Sequence, residues 1–178
     1  MKRAKTPERL AANASKLHKH IGSLLTSDLF RHWEIRQEYP VNQVNPSFKS
    51  GREKFDWVIL SLNVVIEIHG EQHSRPICFG GVEIDTAKRN FRKRIEADWT
   101  KEEAARDAGW AYVVVWHHEK KITAEELHLK ISEAIDGMTA AKDQAPAKPK
   151  AKIPHPKEYK WPKGKKIPGR KFNGEPIR

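Results

Sequence analysis

The sequence predicts a mixed α/β fold in which a central sheet is flanked by helices. Three stretches of strand length precede residue 70, and the apolar run AYVVVW forms a fourth after Trp110. A long helical stretch separates the third strand from the fourth, and an amphipathic stretch follows the fourth. The predicted order is α-β-β-β-α-β-α, and the sequence shows no internal repeat.

The first half of the chain is predicted to form one helix and three strands. Thr6, followed by a proline, is the predicted cap of a helix that runs to about Leu25 and has a break near Gly22. The next strand covers residues 34–42, where Pro40 indicates a sheet edge or a strand end. A loop over 43–54 precedes two strands joined by a tight turn, at 55–60 and 63–69.

The second half is predicted to contain two helices around one strand. A long connection over residues 70–86 leads into a helix from about Thr86 to Ala108, which Gly109 ends. The run after Trp110 has the length and apolar composition of a buried strand. The last helix is predicted over residues 123–138, because a Ser/Thr-x-x-Glu capping box opens it and an apolar stripe follows.

Positive charge is concentrated at the C-terminal end. The net charge is +11, and residues 142–178 hold twelve Lys and Arg against three Asp and Glu, which is +9 of that total. The same stretch holds seven of the eleven prolines and too few aliphatic residues to bury a core. We therefore expect a folded domain over residues 1–138 and a disordered, basic, Pro- and Lys-rich tail over residues 139–178.

Composition also excludes several classes of protein. A single cysteine, Cys78, rules out an internal disulfide framework, and no apolar run reaches the roughly 18 residues of a membrane span. The basic N-terminus has no apolar core, so it is not a secretory signal, and we expect a cytoplasmic protein. The adjacent pair His117 and His118 does not predict zinc, because neighbouring strand residues point to opposite sides. A pI near 9.8 favours a nucleic-acid partner.

The stretch FDWVILSLNVVIEIH places two acids inside an apolar hairpin. If the turn is centred on residues 61–62, Asp56 lies opposite Glu67, and directly opposed side chains point to the same face. Two adjacent carboxylates repel each other unless a cation lies between them. With the Ile68 carbonyl as a third oxygen ligand, they suit Mg²⁺, which Mn²⁺ is expected to replace. His69 shares the Glu67 face and is expected to reach a metal-bound water.

These residues resemble the core of the PD-(D/E)xK nuclease superfamily, with Asp56, Glu67 and Ile68 in the metal-binding pattern and His69 where a lysine is usual. The continuation is similar to the branch that contains the very-short-patch-repair-type endonucleases. The matching residues, which extend the resemblance over 34–119, are Gly70, Gln72, His73, Gly109, Trp110 and Trp116. The resemblance implies a restriction-endonuclease-like αβββαβ core and Mg²⁺-dependent cleavage of DNA. The small size, the single domain and the basic tail would fit a phage or mobile-element nuclease.

The resemblance also implies roles for the polar residues around the pair. His69 would orient or deprotonate the attacking water, and Gln72 and His73 would position the phosphate or a second-metal water. The long helix presents Arg94, Asp98 and Lys101 on one face by their i, i+4, i+7 spacing. Either Lys101 or Arg94 would then replace the missing lysine, while Asp98 either serves the site or pairs with Arg94.

Two departures leave the function open. The superfamily often has a first-helix Glu near the metal. Here the predicted first helix offers only Glu8, too near its start, so we expect this acid to be absent, with Glu34 and Glu38 as alternatives. The missing lysine also fits a non-catalytic DNA- or RNA-binding protein on a nuclease-like fold, and a structure-specific junction nuclease is a third possibility. Aromatic residues interleave with basic ones in the tail, which suits phosphate contacts and base stacking. The residues expected to bind nucleic acid are Arg94 of the long helix and, in the tail, Lys160, Trp161, Lys163, Lys165, Lys166, Arg170 and Lys171.

Overall fold

The computed structural model describes residues 14–143 and confirms the mixed α/β class. Its helices are α1 (Lys16–Leu24), α2 (Val41–Val44), α3 (Ile84–Asp107) and α4 (Ala124–Asp143). Its strands are β1 (Ile35–Pro40), β2 (Lys54–Ile59), β3 (Val64–His69) and β4 (Ala111–Trp116). Short 3-10 turns lie at Leu60–Leu62, Glu71–His73 and Phe79–Gly81. Across the described range no helix combines the length and the apolar composition that a bilayer crossing requires.

The described residues fall into two compact units. The first contains residues 14–68 and 101–143, and it holds the sheet from β1 to Ile68 of β3, together with α1, α2, β4 and α4. The second contains residues 69–100. Helix α3 contributes residues 84–100 to the second unit and its last turns to the first.

The sheet is mixed and its strand order follows the sequence, β1-β2-β3-β4. Strands β1 and β2 are antiparallel, as are β2 and β3. In the second pair, Trp57 faces Ile66 and Val58 faces Val65, which is the register expected for a turn centred on residues 61–62. Pro40 ends β1, an edge strand, where a missing backbone N–H is tolerated.

The β2–β3 connection explains why this register forms. Leu60–Leu62 makes one 3-10 turn, and Asn63 follows with φ of 52°, in the left-handed region that asparagine tolerates better than most residues. The backbone of Asn63 then accepts a hydrogen bond from the Ala111 N–H at 2.8 Å, which attaches the start of β4. A short, conformationally defined turn therefore fixes the pairing of the two acid-bearing strands.

The two faces of the sheet are covered by different helices of the first unit. Alternating strand residues, among them Trp57 and Ile66, pack with α1 and α4 on one face. Val58 and Val65 pack on the other face with α2 and the last turns of α3. Burial of these apolar side chains stabilises the sheet at about 25 cal/mol per Å² of area removed from water, and it holds polar residues of the same strands in fixed positions.

Several predicted boundaries need correction. Helix α1 begins at Lys16 and does not extend without interruption from the predicted cap Thr6, because its N-cap Ser15 is extended and Ser15 Oγ accepts the His18 N–H at 3.1 Å. The helix also continues through Gly22 without a break. Residues 1–13, with Thr6, lie outside the described range. Val41 to Val44, predicted as strand end and loop, form the short helix α2.

The C-terminal boundaries agree better with the sequence. Gly109 has φ of 78° directly after α3, as a helix-ending glycine should. Thr123 and Glu126 form the predicted capping box, with reciprocal hydrogen bonds of 2.8 and 3.2 Å. Helix α4 continues to Asp143, beyond the end predicted at residue 138. The predicted nucleic-acid-binding residues of the tail, from Lys160 to Lys171, lie outside the described residues.

Candidate active site

Asp56 and Glu67 lie on neighbouring antiparallel strands of the first unit. The β2–β3 register, extended by one pair beyond Trp57 and Ile66, sets them opposite each other. Glu67 is buried, whereas about a quarter of the Asp56 side chain is exposed, at 26%. The register of the two strands is the predicted one, and the pairing of the two carboxylates stays a prediction.

The Asp56 carboxylate is fixed by the backbone of β3. Its Oδ2 accepts a hydrogen bond from the Ile68 N–H at 2.7 Å. A charge-assisted bond of this length orients the carboxylate and satisfies a backbone donor at the end of the strand pair. Asp56 is therefore part of the sheet's hydrogen bonding and not a strand-end acid turned out to solvent.

Lys101 binds the Glu67 carboxylate from the last turns of α3. Its Nζ lies 2.8 Å from both Glu67 carboxylate oxygens and 3.2 Å from the Lys54 carbonyl oxygen. The ammonium also lies 5.9 Å from the centre of the Phe55 ring. Ionised Glu67 in this buried position requires a nearby positive charge, because taking a carboxylate out of water costs several kcal/mol. The structure thus brings Lys101, a residue expected to supply positive charge near the site, into contact with Glu67.

His18 of α1 approaches the other acid, and the sequence did not predict this contact. Its Nδ1 lies 3.8 Å from Asp56 Oδ1, while its Nε2 lies 3.0 Å from Gln37 Nε2. With the Gln37 amide donating to Nε2, a neutral imidazole carries its proton on Nδ1, on the side of Asp56. The His18 ring also lies 5.5 Å, centre to centre, from the Trp57 indole.

The first helix therefore brings an imidazole, and not an acid, close to Asp56. The sequence held a signal for this position, because Leu17 and Ile21 mark the buried face of α1 and His18 lies beside them. Glu34 and Glu38, the expected alternatives to a first-helix acid, make exposed ion pairs. Glu34 pairs with Arg36 at 2.6 Å and Glu38 with Lys54 at 3.9 Å, with both carboxylate side chains 56% exposed.

The second unit holds three further polar residues close together. His73 Nδ1 lies 2.5 Å from Asp98 Oδ2, and the His69 and His73 rings stack with their centres 4.4 Å apart. His69 and Asp98 are buried. Asp98 therefore pairs with His73. Arg94 instead donates from Nη1 to the Gln72 carbonyl oxygen at 3.2 Å.

Gly70 allows Gln72 to fold back over the chain. A Cβ atom at Gly70 would lie 2.9 Å from Gln72 Oε1, closer than such atoms approach in proteins. The Gly-x-Gln spacing in the sequence thus has a local packing reason, whatever Gln72 binds. The roles at a phosphate or a water that were expected for His69, Gln72 and His73 stay predictions.

Comparisons of the chain with protein-family models, with curated proteins and with solved structures each return no match. The resemblance to the PD-(D/E)xK superfamily therefore still depends on the residues named from the sequence. The geometry of Asp56, Glu67 and Lys101 is an independent observation, and it is the one on which a function can be argued.

Proposed function

We propose that the protein is a metal-dependent endonuclease that hydrolyses phosphodiester bonds in DNA. The observation that carries this proposal is the contact of Lys101 with both carboxylate oxygens of Glu67, on a strand whose register sets Glu67 opposite Asp56. Two acids and a lysine are the polar set that the resemblance to PD-(D/E)xK nucleases implies. Here the lysine comes from α3 instead of β3.

The donor atoms around the pair fit a hard divalent cation. Asp56, Glu67 and the Ile68 carbonyl offer only oxygen ligands, which Mg²⁺ and Mn²⁺ accept. A bound Mg²⁺ would lower the pKa of a coordinated water and stabilise the charge of the reacting phosphate. The chain's own contribution is to hold Asp56 in place through the Ile68 N–H and to keep Glu67 ionised beside Lys101.

Lys101 has a second use in such a site. Its ammonium is mostly buried, with 14% of the side chain exposed, and its three N–H groups face the two Glu67 oxygens and the Lys54 carbonyl oxygen, so a ligand would take over one of these contacts. A fixed positive charge in a poorly solvated position stabilises negative charge more strongly than an exposed lysine does. We assign Lys101 the role of the lysine that is absent from the His69 position.

Cleavage of supercoiled plasmid by the full-length protein tests the proposal. With Mg²⁺ or Mn²⁺, the native protein should convert the plasmid to nicked or linear DNA, and EDTA should stop the reaction. Glu67→Gln keeps the shape of the side chain and removes its charge, so it should abolish cleavage and retain DNA binding. His128→Gln, on α4, serves as the matched control. Cleavage by the Glu67 variant at the native rate would contradict the assignment.

A non-catalytic nucleic-acid-binding protein is the second candidate function. The observation in its favour is the same ion pair, because a lysine that occupies both oxygens of Glu67 also neutralises it without a metal. The basic residues of 142–178 would then carry binding by salt-dependent phosphate contacts. In that case plasmid DNA is bound but stays intact under every metal tested. Branched DNA as a second substrate tests the junction-nuclease alternative in the same assay.

A further inference from the structure

The second unit contains a set of side chains that the proposed nuclease site does not use. Within residues 14–143, His69, His73 and Asp98 form a group whose potential ligand atoms all lie within 4.8 Å of one another. They come from three separate segments, namely the end of β3, the 3-10 turn at Glu71–His73, and α3. Convergence of three segments on one point is what a metal centre requires of a fold.

We propose that His69, His73 and Asp98 form a binding site for a single divalent transition-metal ion. Zn²⁺ is the ion whose coordination geometry is used to judge the distances. Two imidazoles and one carboxylate are ligands that Zn²⁺, Co²⁺ and Ni²⁺ accept, whereas Mg²⁺ prefers oxygen atoms alone. Three protein ligands leave one position of a tetrahedral ion for water. The ion is therefore of a different class from the one proposed for Asp56 and Glu67.

The distances are compatible with an ion after a small adjustment. Ligand atoms of a tetrahedral Zn²⁺ site lie about 3.3 Å apart, given metal–ligand bonds of about 2.0–2.1 Å. His73 Nδ1 and Asp98 Oδ2 are 2.5 Å apart, so they must separate by somewhat less than an ångström when an ion replaces the proton between them. The ligand atoms of the remaining pairs lie no more than 4.8 Å apart. Metal binding releases such a proton, because the ligand atoms must be deprotonated to bind the ion.

The turn that carries His73 is held in place by its own hydrogen bonds. The His73 N–H donates to the Gly70 carbonyl oxygen at 3.0 Å, and Arg75 forms an ion pair with Glu71. Arg94 of α3 binds the Gln72 carbonyl oxygen. These contacts fix the backbone around the imidazole while leaving the side chain 16% exposed, so an ion can reach it. A preformed ligand set of this kind lowers the ordering cost of binding.

His69 is the third member of the group, and its position is not explained by the His73–Asp98 hydrogen bond alone. His69 stacks on His73 with an angle of 19° between the ring planes and is fully buried. A buried imidazole beside another imidazole and a carboxylate is the arrangement of a three-ligand centre more than that of a simple ion pair. The inferred function of the ion is to tie the end of β3, the turn and α3 together within residues 69–100.

The test uses the full-length protein, stripped of metal with EDTA and then dialysed, and Co²⁺ or Zn²⁺ alone as the probe. We expect one equivalent of Co²⁺ per chain with visible d–d absorption, displaced by Zn²⁺, and a raised melting temperature with either ion. Asp98→Asn and His73→Gln should weaken binding by a factor on the order of 100 or more, since even outer-shell changes cost 10–100-fold. His118→Gln is the matched control and should bind as the native chain does.

The outcomes separate this proposal from the nuclease proposal. Failure to bind Co²⁺ or Zn²⁺ overturns the three-ligand site, and so does native-like binding by either Asp98→Asn or His73→Gln. Neither outcome bears on the nuclease proposal, which plasmid cleavage tests separately. If the variants do not fold, paramagnetic Co²⁺ bound to the native chain should broaden the ring signals of His69 and His73 in NMR spectra. Broadening at His18 or His20 instead overturns the assignment.

Discussion

The Lys101 ammonium lies 2.8 Å from both carboxylate oxygens of Glu67, although 34 residues separate the two in sequence. Only 4% of the Glu67 side chain is exposed. A buried carboxylate and a buried ammonium each lose hydration on folding, so each depends on the other for its charged state. The ion pair should therefore contribute to the free energy of unfolding. Mutation of each partner can measure that contribution separately from any effect on cleavage.

Removal of Lys101 should destabilise the protein more than removal of both partners. Lys101→Met leaves the Glu67 charge buried without its ammonium, which typically costs 3–5 kcal/mol. The double variant Glu67→Gln with Lys101→Met has no buried charge at this position, and we expect it to recover roughly half of that loss or more. Urea unfolding of the native protein, both single variants and the double variant gives the four free energies of unfolding of a double-mutant cycle. A double variant less stable than Lys101→Met alone would show that the ion pair does not control stability here.

The Asp56–Ile68 hydrogen bond predicts different effects for two substitutions of one residue. Asp56→Asn keeps an oxygen that can accept the Ile68 N–H, whereas Asp56→Ala leaves that donor unsatisfied at a cost of about 1–3 kcal/mol. Under the proposed function both variants lose cleavage, because neither offers a carboxylate to the metal. Thermal unfolding should therefore rank native and Asn above Ala, while the plasmid assay should find both variants inactive. Equal stability of the Asn and Ala variants would remove the structural role given to this bond.

The β2–β3 register could be predicted from sequence because it depends on local chemistry. Two apolar runs flank a short turn, and a slip of one residue would turn Val58 and Val65 to the wrong face. Helical periodicity likewise placed Asp98 and Lys101 on one face of α3. Which acid each of them would meet did not follow from that spacing. The resemblance to a nuclease family supplied the expectation for Lys101, and the structure supplied the contact.

The parts that sequence reasoning missed depend on packing between distant segments. His18 reaches Asp56 because α1 packs on one face of the sheet, and no local pattern encodes that placement. The contact of His73 with Asp98 arises in a connection without hydrophobic periodicity, where only Gly and polar residues mark the turns. Local signals such as the Thr123 capping box predict their element correctly. Ser15, the N-cap of α1, has the same cap chemistry as Thr6, so residue type alone does not distinguish them.

A pH-dependent contribution to stability should come from Glu119, away from the candidate sites. Burial raises the pKa of Glu119, but hydrogen bonds from Lys130 and the Trp116 N–H, together with the Lys130 charge, outweigh it, so the pKa lies below its usual 4.5. A lowered pKa means that the carboxylate stabilises the fold above about pH 4.5 and that this contribution disappears as the pH falls through the folded-state value. The stability difference between native protein and Glu119→Gln should therefore be largest near pH 7 and shrink at acidic pH. Urea unfolding at several pH values measures it, and a difference that grows on acidification would reverse the sign argued here.

His18 should affect the proposed metal site through Asp56 without binding the metal itself. Its Nδ1 faces Asp56 Oδ1 at 3.8 Å, and the ring is held by Gln37 and Trp57. Partners that orient a ligand typically change metal affinity or activity by 10–100-fold when removed. We therefore expect His18→Leu to raise the Mg²⁺ concentration needed for half-maximal cleavage by about that factor, with a smaller change in the rate at saturating Mg²⁺. His20→Leu is the matched control, because His20 lies on the same helix and its ring contacts the Ile122 carbonyl oxygen instead. If the His18 variant needs the same Mg²⁺ concentration as the native protein, His18 does not affect the metal site and only packs α1 on the sheet.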